Sequence, residues 1–147
     1  MKQSVLITPE YRDYLLSYSV VESTAAAAIR HGIARTGERG IQIAPEQGQL
    51  LRFLVRLLSA RAVLEVGTYF GYSGLWLAEG LPDDGILVSI EANASVAAQA
   101  RGYWQDAKLD HKIQLHCGLG VDVLMKLIGE KNQFDLAFID ANKEDYS

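Results

Sequence analysis

Residues Ala62-Val63-Leu64-Glu65-Val66-Gly67-Thr68-Tyr69-Phe70-Gly71-Tyr72-Ser73 constrain the fold of this chain more than any other stretch. An apolar run ends in an acid and a glycine, and after a short step come a second glycine and a serine. The pattern predicts a buried strand that breaks into a tight turn and opens a helix. A second apolar run, Ile86-Leu87-Val88-Ser89-Ile90, ends in another acid, Glu91. In open parallel α/β sheets, ligands sit just outside the carboxyl ends of the strands. Both acids fall there.

The turn selects among nucleoside cofactors. A dinucleotide fingerprint, Gly-x-Gly-x-x-Gly, closes tightly on a pyrophosphate. With its middle glycine set at Gly67, this turn has Glu65 and Phe70 where the other glycines belong. No Gly-Lys-Ser or Gly-Lys-Thr of a P-loop occurs. An anionic Glu65 beside a pyrophosphate is repulsive. Beside S-adenosylmethionine, which carries a sulfonium and an ammonium and no phosphate, it is acceptable. Glu91 at the next strand end can hold the two hydroxyls of a ribose. The plainer alternative is an ordinary strand-turn-helix whose glycines serve packing.

The rest of the chain fits that frame. From Arg61 onward, short apolar runs alternate with helical patterns. Strands are predicted over 62–67, 86–91, 113–117 and 134–140, and helices over 71–80, 94–107 and 121–129. This alternation argues for parallel crossover units in a doubly wound α/β sheet. Val96, Ala100, Tyr103, Trp104 and Ala107 share one helix face; Val121, Leu124, Met125 and Ile128 share another, with Gly129 as a C-terminal cap. Pro82-Asp83-Asp84-Gly85 reads as a turn. Ahead of this region three helices are predicted. The first runs from Pro9, capped by Thr8, to about Ser19. The second spans 22–36. The third opens at Pro45 and buries Leu50, Phe53, Leu54, Leu57 and Leu58. The whole, 1–147, reads as one domain, with 1–60 as its N-terminal helical part.

Composition narrows the partners. Hydrophobic residues at 49% and charged residues at 22% fit an ordinary globular protein of 147 residues. A net charge of −4 leaves no basic footprint, so nucleic acid is an improbable partner. The single cysteine, Cys117, excludes an internal disulfide, and with His116 beside it does not make a metal site. No apolar run reaches the roughly 20 residues that span a bilayer, and the N-terminus lacks the apolar length of a signal peptide. A cytoplasmic protein is the expectation.

Asp140-Ala141-Asn142-Lys143 falls at the end of the fourth strand, on the rim shared by Glu65 and Glu91. Asp140 can ligate a hard cation such as Mg²⁺, although one carboxylate is too few for a firm site. Lys143 near such a cation loses basicity and can accept a proton. From the tetrapeptide alone the simpler reading is that Asp140 caps a following helix and Lys143 is a solvated surface lysine.

These motifs in this order resemble the cation-dependent O-methyltransferases, the group of caffeoyl-CoA and catechol O-methyltransferase, a class with a Rossmann-like fold. The similarity covers about Ile41 to Tyr146. It is carried by the Ala62–Ser73 turn and by Ile43-Ala44-Pro45-Glu46-Gln47-Gly48-Gln49-Leu50-Leu51 and Leu81-Pro82-Asp83-Asp84-Gly85. Ser89-Ile90-Glu91, Tyr103-Trp104, His111-Lys112-Ile113 and Phe138-Ile139-Asp140-Ala141-Asn142-Lys143-Glu144-Asp145-Tyr146 add to it. The resemblance implies that Glu65, Gly67, Thr68, Gly71 and Ser73 surround the methionine part of S-adenosylmethionine and that Glu91 binds its ribose. It puts Gly120 on the adenine side, and Ile43 approaching from the loop before the third helix. Asp140 matches the first metal ligand, also near the cofactor, and Lys143 the catalytic lysine.

The resemblance implies methyl transfer to a hydroxyl of a small catechol-like phenol, assisted by a divalent cation, in a homodimer. Two departures stand out. The family has Asp-Ala-Asp-Lys where Asn142 stands here, and it adds an Asp-Asn pair of metal ligands on a further strand. The sheet is therefore expected to lack its last strands, to leave strand 134–140 at or beside an edge, and to associate or aggregate. Two other functions compete: a cofactor-binding remnant without turnover, and methylation of a hydroxylated tRNA nucleoside.

Overall fold

The computed structural model describes residues 8–37 and 42–141. Three helices come first: α1 (Pro9–Ser19), α2 (Thr24–Thr36) and α3 (Pro45–Leu57). Then follow β1 (Ala62–Val66), α4 (Tyr72–Gly80), β2 (Ile86–Glu91), α5 (Ala94–Asp106), a 3₁₀ turn (Asp110–Lys112), β3 (Ile113–Cys117), α6 (Gly120–Gly129) and β4 (Leu136–Ile139). The strand-helix alternation read from sequence is present, with element ends shifted by a residue or two. Caps explain several starts. The Tyr11 amide donates to Thr8 Oγ1, the Ala26 amide to Ser23 Oγ, and the Ser95 and Val96 amides to Asn93 Oδ1. The turn before β2 is closed by the Gly85 amide donating to Pro82 O.

All strand pairs are parallel, in the order β3-β2-β1-β4. The chain steps outward from β1 to β3, then returns to set β4 on the other side of β1. The reversal lies between β1 and β4, and a crevice opens at such a point in sheets of this kind. At the opposite end, Asp135 fixes the register. Its Oδ2 accepts the Arg61 and Ala62 amides at 2.7 and 2.9 Å, and its own amide donates to Ala62 O. Those amide bonds, Ala62 first, hold its carboxyl below the usual range.

The pleat sends alternate residues to two faces. Val63 and Leu87 meet Leu51, Val55, Leu77 and Leu81 of the α3–α4 layer. Leu64, Val66, Val88 and Ile90 meet Leu127 on the α6 side, with Val123 and Leu124 packed around them. Ala26, Ile29 and Ile33 of α2 pack with Phe70, Trp76, Ala100 and Trp104.

Two helix faces differ from the sequence reading. α3 buries Gly48, Leu51 and Val55, while Leu50, Phe53, Leu57 and Leu58 are exposed and Leu54 is half-buried. α6 buries Leu127, with Val121, Met125 and Ile128 exposed. Both helices carry apolar residues around more than one face, so periodicity alone does not choose between them. Close approach chooses for α3. A methyl group on Gly48 would lie 2.4 Å from the Trp76 indole, and one on Gly80 would lie 2.9 Å from Val55 Cβ. Glycine on both helices lets the backbones meet only along that face. In α6, Gly129 is the last helical residue and the left-handed conformation falls on Lys131 (φ 58°). The cap expected at Gly129 is thus displaced by two residues.

The Gly48 contact is testable. Gly48→Ala overpacks the Trp76 contact and is expected to destabilise the fold by about 1–3 kcal/mol in denaturant unfolding. If α3 instead packed through Leu50, Phe53 and Leu57, Gly48 would face solvent. The same change would then stabilise by roughly 0.5–1 kcal/mol through helix propensity.

Candidate functional site

Three strand ends meet around Gly67. Its amide donates to Ile90 O of β2 at 3.0 Å, and the Asp140 amide donates to Val66 O at 2.8 Å. Gly67 has φ +97°, and a Cβ there would stand 2.4 Å from the Asp140 carbonyl oxygen. Only glycine meets both conditions. The turn then closes with the Gly71 amide donating to Thr68 O. Gly71 has φ +83°, and Trp104 packs where a Cβ would go while its Nε1 donates to Gly71 O at 2.9 Å. Gly120, the first residue of α6, comes so near β1 that a Cβ would sit 3.2 Å from Val66 Cγ1. The Gly67, Gly71, Gly120 and Asp140 picked out in the sequence therefore line one rim.

Glu91 ends β2 on that rim. Its Oε2 accepts the Tyr69 amide at 2.8 Å and its Oε1 accepts the Asn93 amide at 2.9 Å. Tyr69 reaches this bond through a left-handed conformation, φ 49°. Each carboxylate oxygen keeps acceptor capacity for one more donor.

Glu65 occupies a different layer. It is 0% exposed, and its oxygens accept Ser73 Oγ and Ser89 Oγ, each at 2.6 Å. Thr68 Oγ1 lies within hydrogen-bond reach of both Ser89 Oγ and Ile90 O, and its single proton can go to either. Glu65, Thr68 and Ser73 are thus buried beneath the turn, with their side-chain oxygens bonded to protein groups. Burial pushes the Glu65 carboxyl up, the two serine hydroxyls oppose this, and the charges of Glu91 and Asp140 add to it; the result is about 7.

Asp140 is exposed at the end of β4. Together with Ile43, Gln47, Leu50, Leu51 and Phe138 it lines a concavity of about 220 Å³. Ile43 and Asp140, far apart in sequence, are brought to one hollow that is mostly apolar. Among the described residues, no group of three or more His, Cys, Asp or Glu is placed to hold a metal ion. A hard cation takes about six oxygens, so these residues do not form a cation site by themselves. Lys143 and Asn142 lie outside the described residues. Sequence reasoning missed Ser89 as the partner of Glu65 and the Tyr69 amide as the partner of Glu91. Ser89 had a signal, a hydroxyl inside an apolar strand; the Tyr69 amide had none.

Comparison with known proteins shows the family. Residues 16–147 match the O-methyltransferase family, and the chain belongs to it. A catechol O-methyltransferase of Niastella koreensis is 36% identical over 93% of this chain and 61% of its own length. Caffeoyl-CoA O-methyltransferase 2 of Zea mays is 31% identical over 98% of this chain and 56% of its own. Among solved structures, the O-methyltransferase TomG of Streptomyces achromogenes, in complex with S-adenosylmethionine, superposes with a TM-score of 0.85 at 37% identity. It is covered over 60% of its length by 90% of this chain. A Bacillus cereus O-methyltransferase in complex with S-adenosylhomocysteine gives 0.84 at 33% identity, over 90% of this chain and 61% of that one. The chain spans about 60% of the length of these relatives.

The buried acid predicts a pH dependence. Glu65 keeps its proton in the fold up to about pH 7, whereas the unfolded chain releases it near 4.5. Between those values the folded state binds more protons, so stability falls as pH rises from about 4.5 to about 7 and levels off above. At about 1.4 kcal/mol per pKa unit, the change reaches a few kcal/mol. Glu65→Gln removes this slope. Denaturant unfolding at pH 5 and pH 7.5 should show the variant gaining on the unaltered chain at the higher pH; parallel pH profiles would exclude the buried titration.

Proposed function

We propose that this chain binds S-adenosylmethionine where β1, β2 and β4 end, and that the site serves methyl transfer to a hydroxyl of a small catechol-like acceptor. The observation that carries this reading is the convergence of Gly67, Glu91 and Asp140 on one rim at the sheet's reversal point. Glu91 offers two fixed oxygens to the ribose hydroxyls. Gly67 and Gly71 give the turn its tight left-handed course against Asp140 and Trp104, with Gly120 on the adenine side. The N-terminus of α4, with its partial positive charge, suits the carboxylate of the methionine part. Glu65, Thr68 and Ser73 support that part from beneath by fixing the turn. The acids of the rim favour a cationic cofactor over one with phosphates.

S-adenosylmethionine supplies the electrophilic methyl group. The chain's residues align the acceptor oxygen with it and manage the oxygen's proton. The apolar hollow of Ile43, Leu50, Leu51 and Phe138 fits an aromatic ring, with Asp140 at its edge near the ring's hydroxyls. Lys143 is the proposed base that takes the proton. We further propose a divalent cation, magnesium, with Asp140 as one of its ligands. The names of the relatives, catechol and caffeoyl-CoA O-methyltransferase, support this acceptor class.

Glu91→Ala is expected to weaken S-adenosylmethionine binding by roughly 1–3 kcal/mol, the scale of lost charge-assisted hydrogen bonds. Calorimetry checks it; an unchanged affinity removes Glu91 from the site, and NADH binding of equal strength overturns the cofactor. For the reaction, Lys143→Ala is expected to lower turnover of a catechol by about 10²–10⁴-fold with little change in cofactor affinity. Full activity in excess chelator would refute the role of the cation.

A further inference from the structure

Glu22, in the segment before α2, reaches the cofactor turn from fifty positions away in sequence. Its Oε1 accepts the Tyr72 hydroxyl at 2.8 Å. Arg30 grips the same carboxylate in a fork, Nε to Oε1 at 3.0 Å and Nη2 to Oε2 at 2.8 Å. Tyr72 is the first residue of α4, directly after Gly71, and is 2% exposed. Its ring meets Trp76 edge-on, with centroids 6.3 Å apart. Arg52 stacks over Trp76 at 4.7 Å, and its guanidinium reaches Glu79. The segment is latched elsewhere too, with the Val21 amide donating to Gln49 Oε1 at 3.0 Å.

An acid largely withdrawn from water, with a fork-bound arginine and a buried phenol on its oxygens, is a costly arrangement unless all its partners stay in place. It therefore fixes the phenol, and the phenol fixes the first turn of α4. That turn carries the backbone donors and Ser73 next to which the methionine part would lie. α2 also covers the turn from outside, where Ile29 and Ile33 pack with Phe70 and Trp104.

We infer that Glu22 is a positioning residue for S-adenosylmethionine, acting through Tyr72 on the first turn of α4. The inference rests on the cofactor reading above. It makes the segment before α2 a component of the cofactor site, acting on the turn through Tyr72.

The test measures S-adenosylhomocysteine affinity by calorimetry for the chain and for Tyr72→Phe, Glu22→Gln and the double variant. Unfolding midpoints and circular dichroism of the ligand-free proteins are recorded alongside. Arg61→Ala, which removes an exposed ion pair with Asp84 at the other end of the sheet, serves as the control. Each single variant should weaken binding by roughly 3- to 30-fold, the range for a hydrogen bond to a charged group acting at one remove. The double variant should be no weaker than the weaker single, since one linkage is broken in both. The control should leave affinity unchanged. Lower midpoints with unchanged affinity in Tyr72→Phe and Glu22→Gln would overturn the inference and leave the cofactor reading standing. Single-variant losses that add in full in the double variant would also overturn it. Failure of the unaltered, folded chain to bind would defeat the cofactor reading itself, and the inference with it.

Discussion

The site depends on a carboxyl group that touches no solvent. Glu65 points to the α4 side of β1, and its two oxygens are taken by Ser89 of β2 and Ser73 of α4. These two bonds set the distance between the central strand, its neighbour and the helix that follows. Gly74 leaves the room, since a Cβ there would stand 2.9 Å from Glu65 Oε2. Burying an acid is unfavourable unless its hydrogen bonds are complete. Displacing either serine leaves an oxygen stranded, so the arrangement resists small shifts. The shape of the loop from Gly67 to Gly71 follows from this. With the helix start and the strand ends held, the chain must cross between them in a few residues, through left-handed conformations at Gly67, Tyr69 and Gly71.

The same device recurs one layer out. Glu22 is bound by Arg30 and Tyr72 much as Glu65 is bound by its serines, with an arginine supplying the charge compensation that Glu65 lacks. Close approach through glycine links the layers. Gly48 admits Trp76, Gly71 admits Trp104, and a Cβ on Gly32 would fall 2.0 Å from the Tyr103 hydroxyl. Large aromatic rings thus sit against bare backbone between α2, α3, α4 and α5. Such contacts are intolerant of added volume and give the helical layer a single way to seat on the sheet.

Much of this was legible in the sequence, and the boundary is physical. Strand-helix alternation, the turn at Gly67, the caps at Thr8 and the acid at Glu91 follow from local rules, and each stands where those rules put it. The contact of Ile43 with the hollow beside Asp140 needed the family resemblance, because nothing local joins residue 43 to residue 140. The faces of α3 and α6 were misread because periodicity measures where apolar residues repeat, and both helices repeat them twice over. The glycines that settle α3 act only when a second helix is present. The family resemblance sets Glu65 at the methionine part of the cofactor. The Glu65 partners Ser73 and Ser89 come from two other elements, and only folding shows that they bury it beneath the turn with a hydroxyl on each oxygen.

The electrostatics of the rim bear on which ligand belongs there. Glu91 and Asp140 end neighbouring strands of β1, and their charges are felt at Glu65, whose carboxyl they help to raise. Two acids at the ends of the strands flanking β1 would oppose a pyrophosphate there. A ligand with a sulfonium and an ammonium relieves the mutual repulsion of the acids, and its hydroxyls find Glu91 already oriented by two amides. On the proposed reading, the helix N-terminus would take the one carboxylate such a ligand carries. The apolar wall of Ile43, Leu51 and Phe138 begins where the acids stop. A planar acceptor with polar edges would therefore rest its ring on that wall and turn its hydroxyls toward Asp140, which sets acceptor oxygen and cofactor on the same side of the strand ends.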